Sequence, residues 1–516
     1  MPKIPPALSV LGAVSGDESA VPSRGIVRSF EKLLAEKDES FWKKRGEEKA
    51  LRLFHEAAVR VPAYKDFLRC ARVNHDRITT IRDFAGVPVT NAENYVAAYP
   101  VAGRCWDGRI TSAQFVATSS GTKGEPKYWP RGAQQDFEAT LTHEFLYRTY
   151  FQFDRRTTLL LIGFPMGVYV SGMATALPSW LASLAHPGLT IMSVGNSKAE
   201  MLRAVKNLSG AYEQTVLVGH PFFIKDVIET GAREGVAWSR RNIGMMFCSE
   251  GFTEAWRRHV ARAAGLSSSS MRMFNTYGSS EMLLMAYETP MSIGVKRLLE
   301  QDQKFLKELT GDPVAPQTFQ YNPLLRYIES VTGELVFTSA SGLPLVRFNL
   351  HDRGTVFSLR HTEEVARACR KKIVAHFSSQ KGRPPQLPLV ALWGRSDHTV
   401  IFYAANIYPE HIKAGLCVPA FLRKLTGKFT MRKGSLKDLD EFLEINVELQ
   451  PNVKPTQALA AGIQAAVVRQ LEGANMEYRF LRGHLDKDIV PRIRLWPYGD
   501  AKYFKPGLKP RYIDPS

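Results

Sequence analysis

Short apolar segments alternate with helical patterns between residues 114 and 277, and this alternation constrains the fold more than any other feature of the chain. Strands that alternate with helices in this way form a parallel sheet covered by helices. The sequence therefore predicts an α/β fold whose sheets are mostly parallel and helix-covered. The candidate strands are residues 114–117, 157–162, 214–218, 244–248 and 271–275. The candidate helices between them are residues 136–149, 199–208, 222–234 and 253–264.

The regions on either side of this alternation have other patterns. Residues 30–61 alternate apolar and charged residues at helical spacing, so we expect residues 1–110 to form a helical leader. Residues 291–325 combine a polar helical stretch with a Pro-rich connection, and residues 361–388 combine a basic helix with a Gly/Pro-rich link. Both segments predict excursions on the surface of the protein.

The length of 516 residues exceeds one ordinary domain. We expect a large N-terminal domain over residues 1–393 and a smaller, mobile α+β domain over residues 394–516. No apolar run reaches the length of a membrane span, and residues 1–22 lack the pattern of a secretory signal. The five cysteines are scattered without a C-x-x-C pair, which argues against a zinc site or a disulfide framework. These features predict a cytoplasmic protein.

The chain is strongly basic, with 68 lysines and arginines against 50 acidic residues and a net charge of +18. This charge would attract polyanions such as ATP and CoA. Nucleic acid is the alternative partner for a basic protein. The basic residues are spread along the chain without interleaved aromatic residues, so no nucleic acid is expected.

Residues 118–127 form a segment rich in hydrogen-bond donors, Thr-Ser-Ser-Gly-Thr-Lys-Gly-Glu-Pro-Lys. Two glycines and four hydroxyl groups allow a loop of this kind to fold its donors around a phosphate. It lies between a candidate strand and a candidate helix, where α/β proteins hold nucleotide phosphates. The spacing is not that of a Walker loop. A solvated Ser/Gly turn is the alternative interpretation.

This segment resembles the phosphate loop of the adenylate-forming superfamily, which includes acyl-CoA ligases, luciferases and peptide-synthetase adenylation domains. Its doubled serine makes it similar to the corresponding loop of the phenylacetate–CoA ligase branch. The resemblance runs from about residue 55 to the C-terminal residue and implies a large α/β domain with a small mobile domain. The other matching segments, in order, are residues 277–281, 333–338, 344–348 with Asp352, 394–397 with 406–409, and 509–514.

The resemblance implies that ATP, Mg²⁺ and CoA bind the protein. Lys123 or Lys127 would add a cation to the phosphate site. Ser280 would donate to the α-phosphate, and Glu281 would be the catalytic carboxylate and the Mg²⁺ ligand. A helix cap is the alternative role for Ser280 and Glu281. The remaining donors to the phosphates would be Thr118, Ser119, Ser120, Gly121, Thr122 and Gly124.

The nucleoside and the hinge are also assigned through the resemblance. Asp352 would bind both ribose hydroxyls, although a turn aspartate is the alternative. Arg395 would hold the same ribose or a phosphate, and Asp397 would be the hinge between the two domains. The tyrosine at position 277 would stack on the adenine. The residues expected around the adenine are Glu250, Gly251, Asn275, Thr276, Tyr277 and Gly278.

Lys509 is the candidate catalytic lysine of the C-terminal segment. A flexible ammonium group on a mobile segment can reach the α-phosphate and the carboxylate and then leave. In the phenylacetate branch the lysine stands three residues before an arginine, whereas Lys509 stands two residues before Arg511. Lys505 and Lys502 are therefore competitors for the same role.

The substrate pocket is expected at the ends of the candidate strands, where open α/β sheets bind ligands. Its candidate residues include aromatic and small side chains, which favour an apolar or aromatic acid. The histidine at position 220 is either a general base or a packed turn residue. The candidate pocket residues are Tyr169, Gly219, His220, Pro221 and Phe222.

One departure from the family pattern concerns the acyl acceptor. Relatives that use CoA carry a basic residue and a glycine shortly after the hinge, but this chain has Tyr403 and Ala404. A Cβ atom at position 404 narrows any tunnel lined by that loop. The acceptor is therefore CoA, a carrier-protein thiol or an amine.

Together these features predict an AMP-forming ligase that activates a hydrophobic or aromatic carboxylic acid with Mg-ATP and transfers the acyl group to CoA. An adenylate-forming amide synthetase is the alternative within the same chemistry. A catalytically inactive basic binding module is the alternative from a different class. The sequence does not identify the acid, and a homodimer is left open.

Overall fold

We describe a computed structural model of the chain. It covers residues 24–119, 126–267, 271–340, 342–374, 384–395, 399–403, 405–416, 418, 420–421, 424–436, 440–485, 489–500 and 502–504. Contacts divide the chain into two compact units. The large unit is residues 1–118 with 128–394, and the small unit is residues 119–127 with 395–516.

The elements of the large unit begin with a helical region and continue into a long alternation of strands and helices. Its helices are α1 (Arg24–Glu36), α2 (Glu39–Arg60), α3 (Pro62–Cys70), α4 (Ile81–Phe84), α5 (Ala133–Phe151), α6 (Val170–Ala185), α7 (Lys198–Leu208), α8 (Pro221–Arg233), α9 (Glu254–Ala263), α10 (Pro290–Gln301), α11 (Gln303–Thr310) and α12 (Leu359–Ala368). The strands that lie wholly or mostly in it are β1 (Phe115–Ser119), β2 (Lys127–Arg131), β3 (Thr158–Ile162), β4 (Leu189–Ser193), β5 (Gln214–Gly219), β6 (Ile243–Cys248), β7 (Met273–Ser279), β8 (Leu283–Tyr287), β9 (Gln317–Gln320), β10 (Tyr327–Val331), β11 (Glu334–Ser339), β12 (Leu345–Phe357) and β13 (Leu389–Arg395).

Eleven of these strands form one sheet in the order β10-β11-β12-β13-β9-β8-β7-β6-β5-β3-β4. The α/β fold class is confirmed. The parallel pairings join β7, β6, β5, β3 and β4, where helices supply the crossovers. From β7 onward the sheet is antiparallel in its β7–β8, β8–β9, β9–β13, β10–β11 and β11–β12 pairs. The parallel character is therefore confined to the half of the sheet that the alternation predicted.

The prediction of a surface insertion at residues 291–325 is wrong. Helix α10 is largely buried, and β9 pairs with both β13 and β8 inside the large sheet. The polar residues of α10 misled the sequence interpretation because their partners are buried as well. A capping box at Thr289 and Ser292 begins the helix, and Lys296 bonds to groups in the protein interior.

The prediction of a surface excursion over residues 361–388 is wrong for the helix at its start. Helix α12 packs with α10 and α11 in a buried apolar cluster that includes Leu299, Leu306, Leu359 and Ala366. Arg360 and Arg367, the arginines of α12, are exposed. The amphipathic pattern made the helix predictable, but its position in the core depends on residues far away in the sequence.

The predicted helical leader is resolved into separate elements. Asp38 interrupts the helix predicted over residues 30–61 because its carboxylate accepts from the Phe41 amide and caps α2. Helix α2 packs against β11 and β12, and Leu53 and Phe54 enter the main apolar core there. The leader is thus part of the wall that supports one end of the sheet.

The small unit has α+β structure. Its three-stranded sheet has the order β16 (Leu425–Ser435), β17 (Glu441–Leu449), β18 (Arg492–Trp496), with an antiparallel β16–β17 pair and a parallel β17–β18 pair. Leu443, Ile445 and Val447 alternate along one face of β17 and are buried. Its described elements are β14 (Val400–Phe402), β15 (Ala405–Ile407), α13 (Pro409–Leu416), β16 (Leu425–Ser435), β17 (Glu441–Leu449), α14 (Gln457–Ala474), α15 (Met476–His484) and β18 (Arg492–Trp496).

A search of the described residues for a helix long and apolar enough to cross a membrane found none.

Candidate active site

The carboxyl ends of the parallel strands place several predicted site residues along one edge of the sheet. Strand β5 ends at Gly219, β6 ends just before Ser249, and β7 ends at Ser279. These three strands are adjacent and parallel, so their carboxyl ends share an edge. Open α/β sheets bind ligands at this edge.

The start of the donor-rich loop lies beside the turn that carries Ser280 and Glu281. Thr118 pairs with Tyr169, and its amide donates to the Val168 carbonyl at 3.0 Å. Ala117, Val170 and Leu283 form one buried apolar cluster. The strand that leads into the loop therefore packs against Leu283, which follows Glu281 by two residues in the chain.

The turn between β7 and β8 holds Ser280 and Glu281 at this edge, and both residues are half-buried. A Cβ atom on Gly278 would lie 2.8 Å from the Leu283 carbonyl oxygen, so the close strand approach requires glycine. Leu283 itself has a φ of 60°, in the left-handed region. Arg326 fixes the turn because its Nη2 and Nε donate to the Met282 carbonyl at 2.8 and 3.2 Å.

Tyr277 and Asp352 are brought together across the sheet. The Tyr277 hydroxyl donates to Asp352 Oδ2, and the Tyr277 ring stacks on Phe319 with centroids 5.8 Å apart. Tyr277 is 8% exposed and Asp352 is 7% exposed. Since one face of the tyrosine ring is covered by Phe319, any adenine would stack on the other face. That stacking stays a prediction.

Asn275 and Thr276 bond to the protein backbone. The Asn275 Nδ2 donates to the Glu250 carbonyl at 2.9 Å, and the Thr276 hydroxyl donates to the Phe247 carbonyl at 2.8 Å. Both side chains are buried. Asn275 thus holds the segment after β6, where Glu250 lies, against the end of β7, whereas Thr276 bonds to β6 itself.

The segment after β6 approaches the rest of the protein closely at Gly251. A Cβ atom there would lie 2.7 Å from Gln317 Cγ. Ser249, two residues earlier, has a φ of 78°. The backbone conformation of this segment is therefore tightly determined at both positions.

The predicted substrate residues follow β3 and β5. Tyr169 is half-buried at the start of α6, while Gly219, His220 and Pro221 are buried where β5 leads into α8. His220 is 6% exposed, and it stands in the N-cap position of α8. Phe222 lies in the first turn of α8.

Other predicted residues lie in the small unit or outside the described residues. Ser119 ends β1, Lys127 begins β2, and Arg395 ends β13, all of them half-buried. Lys502 begins a turn in which its amide donates to Asp500 Oδ1 at 2.9 Å. The predicted residues outside the described part of the chain are Ser120, Gly121, Thr122, Lys123, Gly124, Asp397, Ala404, Lys505 and Lys509.

A buried ionic network lies behind the segment after β6, and the sequence interpretation missed it. Arg257 donates to Glu254 Oε1 at 2.7 Å and to Glu288 Oε1 at 2.6 Å. Lys296 lies 3.5 Å from Glu288 and 3.9 Å from Glu254. No motif marks these residues, and isolated charges in helical patterns are usually read as surface positions.

This network changes the acidity of its members. Burial by itself would raise the pKa of Glu254, but Arg257 and Lys296 outweigh it and lower that pKa to about 2. Burial lowers the pKa of the Lys296 ammonium, although Glu288 opposes that change. The two carboxylates and the two cations of the network therefore stabilise one another's charges in the protein interior.

Comparison with known proteins supports the fold and leaves the activity to be tested. No family model and no curated protein matches the chain. Crystal structures of 2-hydroxyisobutyryl-CoA ligase do match. One, in complex with 2-HIB-AMP and CoA in the thioesterification state, has a TM-score of 0.63 at 13% identity and covers 96% of this chain and 94% of its own.

Two other states of the same ligase also match. An open conformation with 2-HIB-AMP and CoA has a TM-score of 0.53 at 14% identity and covers 97% of each chain. A postadenylation state with R3-HIB-AMP has a TM-score of 0.53 at 14% identity and covers 96% of this chain and 94% of its own. The chain therefore has the fold of 2-hydroxyisobutyryl-CoA ligase over nearly its whole length, and the motifs predicted this fold.

Proposed function

We propose that this protein is an AMP-forming ligase that activates a hydrophobic or aromatic carboxylic acid with Mg-ATP and transfers the acyl group to CoA. One observation carries the proposal. Tyr277, which donates to Asp352, the segment held by Asn275, and the turn with Glu281 all lie at the carboxyl ends of the adjacent strands β6 and β7, beside the start of the donor-rich loop.

In the first half-reaction the acid carboxylate attacks the α-phosphorus of ATP. A new oxygen–phosphorus bond forms, the bond to the β-phosphate bridging oxygen breaks, and pyrophosphate leaves with its electron pair. Hydroxyls and amides of residues 118–124 would neutralise charge on the β- and γ-phosphates. Ser280 would donate to the α-phosphate, and Asp352 would accept from the ribose hydroxyls.

The chemistry of the site suits magnesium. Among the described residues no group of three or more His, Cys, Asp or Glu side chains is arranged to hold a metal. A single half-buried carboxylate, Glu281, is what Mg²⁺ needs when its other ligands are water and phosphate oxygens. When bound, this ion would neutralise the charge of the departing pyrophosphate.

In the second half-reaction a thiolate attacks the acyl carbonyl, a carbon–sulfur bond forms, the bond between the acyl carbon and the phosphate oxygen breaks, and AMP leaves with that electron pair. The catalytic lysine would be Lys509, with Lys505 and Lys502 as alternatives. Rotation about Asp397 would exchange the two active conformations.

We further propose that the protein is a cytoplasmic enzyme of the phenylacetate–CoA ligase type. Its four described cysteines are free, as is usual for proteins of a reducing compartment.

The acyl chain would enter beside Tyr169 and the turn from Gly219 to Pro221. This location lies at the edge where β3 and β5 end, next to the nucleotide residues. The aromatic and small side chains of these residues suit an apolar or aromatic acid. A panel of carboxylic acids in a pyrophosphate-release assay, with and without CoA, tests the proposal. Acid-dependent release is expected, and no release with any acid would contradict it.

Glu281→Ala should lower kcat/KM for pyrophosphate release by about a hundredfold or more, because the site loses its Mg²⁺ ligand. The matched control is Glu308→Ala on the exposed surface of α11, which should keep wild-type activity. Equal activity of the Glu281→Ala variant and the wild type would remove Glu281 from the mechanism.

An amide-forming synthetase is the second candidate, and one observation favours it. The resemblance implies a basic residue after the hinge, but Tyr403 is buried there and its hydroxyl donates to the Glu441 carbonyl at 3.4 Å. The position therefore supplies no cation for CoA. Pyrophosphate release with consumption of an amine, and without consumption of CoA, would establish this alternative.

A further inference from the structure

We propose that Lys296 and Gln317 are positioning residues that set the conformation of residues 249–252 for the adenine end of ATP. The proposal rests on the proposed function, since it takes these residues as one wall of the nucleotide site. Neither residue belongs to a motif. Both residues form hydrogen bonds with the backbone of this segment.

The backbone on both sides of Phe252 is fixed by buried side chains. Lys296 Nζ donates to the Phe252 carbonyl at 2.5 Å and to Gln317 Oε1 at 2.8 Å. The same Gln317 oxygen accepts from the Phe252 amide at 3.3 Å. Lys296 Nζ also lies 4.7 Å from the centre of the Phe252 ring. The two side chains thus clamp the peptide groups before and after one residue.

A second arm of the same network reaches the other end of the segment. Glu288, which lies 3.5 Å from Lys296, accepts from the Asn275 amide at 2.7 Å. The Asn275 side chain in turn donates to the Glu250 carbonyl at 2.9 Å. The network therefore fixes the segment at Glu250 and at Phe252, with the close contact of Gly251 against Gln317 between them.

Stability alone does not account for a lysine in this place. Lys296 is 0% exposed, and burying an ammonium group is costly even when it is paired. An apolar side chain of similar volume often stabilises such a site equally well or better. What an apolar side chain cannot do is donate to the Phe252 carbonyl. The distinguishing contribution of Lys296 is therefore the hydrogen bond that fixes the conformation of this segment.

Gln317 offers a nearly isosteric pair of variants. In Gln317→Glu an acceptor oxygen remains for Lys296 and the Phe252 amide, so the KM for ATP should stay within about twofold of the wild type. In Gln317→Leu both bonds are lost, and we expect the KM for ATP to rise about tenfold, as for the loss of a buried hydrogen bond to a charged group. The KM for the acid and kcat should change less than threefold in both variants.

Lys296→Met should raise the KM for ATP by about tenfold or more and should weaken the preference for ATP over GTP, because the lost contacts shape the wall beside the base. The matched control is Arg104→Met. Arg104 is a buried cation of the helical leader, and its Nε donates to the Tyr99 carbonyl at 3.1 Å. This control should lower the melting temperature comparably without changing the KM for ATP or the preference for ATP over GTP.

Equal effects of Lys296→Met and Arg104→Met on the KM for ATP would overturn the proposal, as would wild-type ATP kinetics in Gln317→Leu. If Lys296→Met does not fold, the two Gln317 variants decide alone. Direct binding of a fluorescent ATP analogue separates this inference from the proposed function. Wild-type binding that is weakened in Gln317→Leu supports the positioning role even if no acid gives pyrophosphate release.

Discussion

At the scale of single residues, the Tyr277–Asp352 hydrogen bond joins two positions 75 residues apart in the chain. Asp352 follows His351, whose φ of 61° is in the left-handed region, so the backbone is bent where the carboxylate is presented. The tyrosine occupies one carboxylate oxygen. The pair therefore fixes the orientation of the acid proposed to bind the ribose.

Tyr277→Phe should raise the KM for ATP by about threefold, because Asp352 loses the hydrogen bond from the tyrosine hydroxyl that orients it. Asp352→Ala should raise this KM at least tenfold and should abolish the discrimination between ATP and 2′-deoxy-ATP. The initial rate of pyrophosphate release, measured with both nucleotides, checks each effect. If Asp352→Ala still discriminated between the two nucleotides, the ribose role would belong to another residue.

At the scale of secondary-structure elements, the hairpin of β7 and β8 carries Ser280 and Glu281 on a turn held from both sides. Gly278 allows the two strands to approach, and Arg326 bonds the Met282 carbonyl from a distant part of the chain. Ala117 and Val170 pack against Leu283 at the end of the turn. Small changes in strand spacing should therefore move Glu281.

Gly278→Ala should lower kcat for pyrophosphate release by about tenfold and destabilise the protein by about 1–3 kcal/mol, because the new Cβ atom would lie 2.8 Å from the Leu283 oxygen. Gly473→Ala is the matched control. Within the described residues, nothing outside the backbone of α14 itself lies within 4 Å of a Cβ at this exposed position, so that change should be neutral or slightly stabilising. Thermal unfolding and steady-state kinetics measure both effects, and a fully active Gly278→Ala variant would contradict the account.

At the scale of the whole molecule, the buried charges of the large unit make its stability depend on pH. The pKa of Glu254 is lowered from 4.5 to about 2 in the folded protein. Between about pH 2 and pH 4.5 the Glu254 carboxyl group is protonated in the unfolded chain and ionised in the folded protein. The stabilisation is therefore complete above about pH 4.5 and is lost as the pH falls towards 2.

The free energy of unfolding should fall by about 2 kcal/mol more in the wild type than in Glu254→Gln between pH 6 and pH 3, since the lowered pKa acts only on the ionisable side chain. Urea unfolding at constant ionic strength gives both values. Glu254→Gln should also be less stable at pH 6, because Arg257 and Lys296 keep their charges without the full partner. If the free energies of unfolding of the wild type and of Glu254→Gln changed in parallel with pH, folding would not lower the pKa of Glu254.

The sequence by itself determined the elements whose signals are local. Alternating apolar and helical patterns predicted strands β3, β5, β6 and their helices to within a few residues, since period and composition act over short distances. The order of the motifs predicted the fold that the matching ligase structures confirm. Which residues touch the nucleotide stays a prediction, and the loop at residues 120–125 lies outside the described part of the chain.

Only the tertiary structure decided where the polar residues of α10 lie and how β9 enters the sheet. A lysine in a helical pattern is read as solvated unless distant carboxylates and carbonyls are known to surround it, and the partners of Lys296 come from several separate elements. Burial of a charge depends on such long-range partners, which no local pattern encodes. For the same reason the Tyr277–Asp352 bond appeared only once the strands were paired.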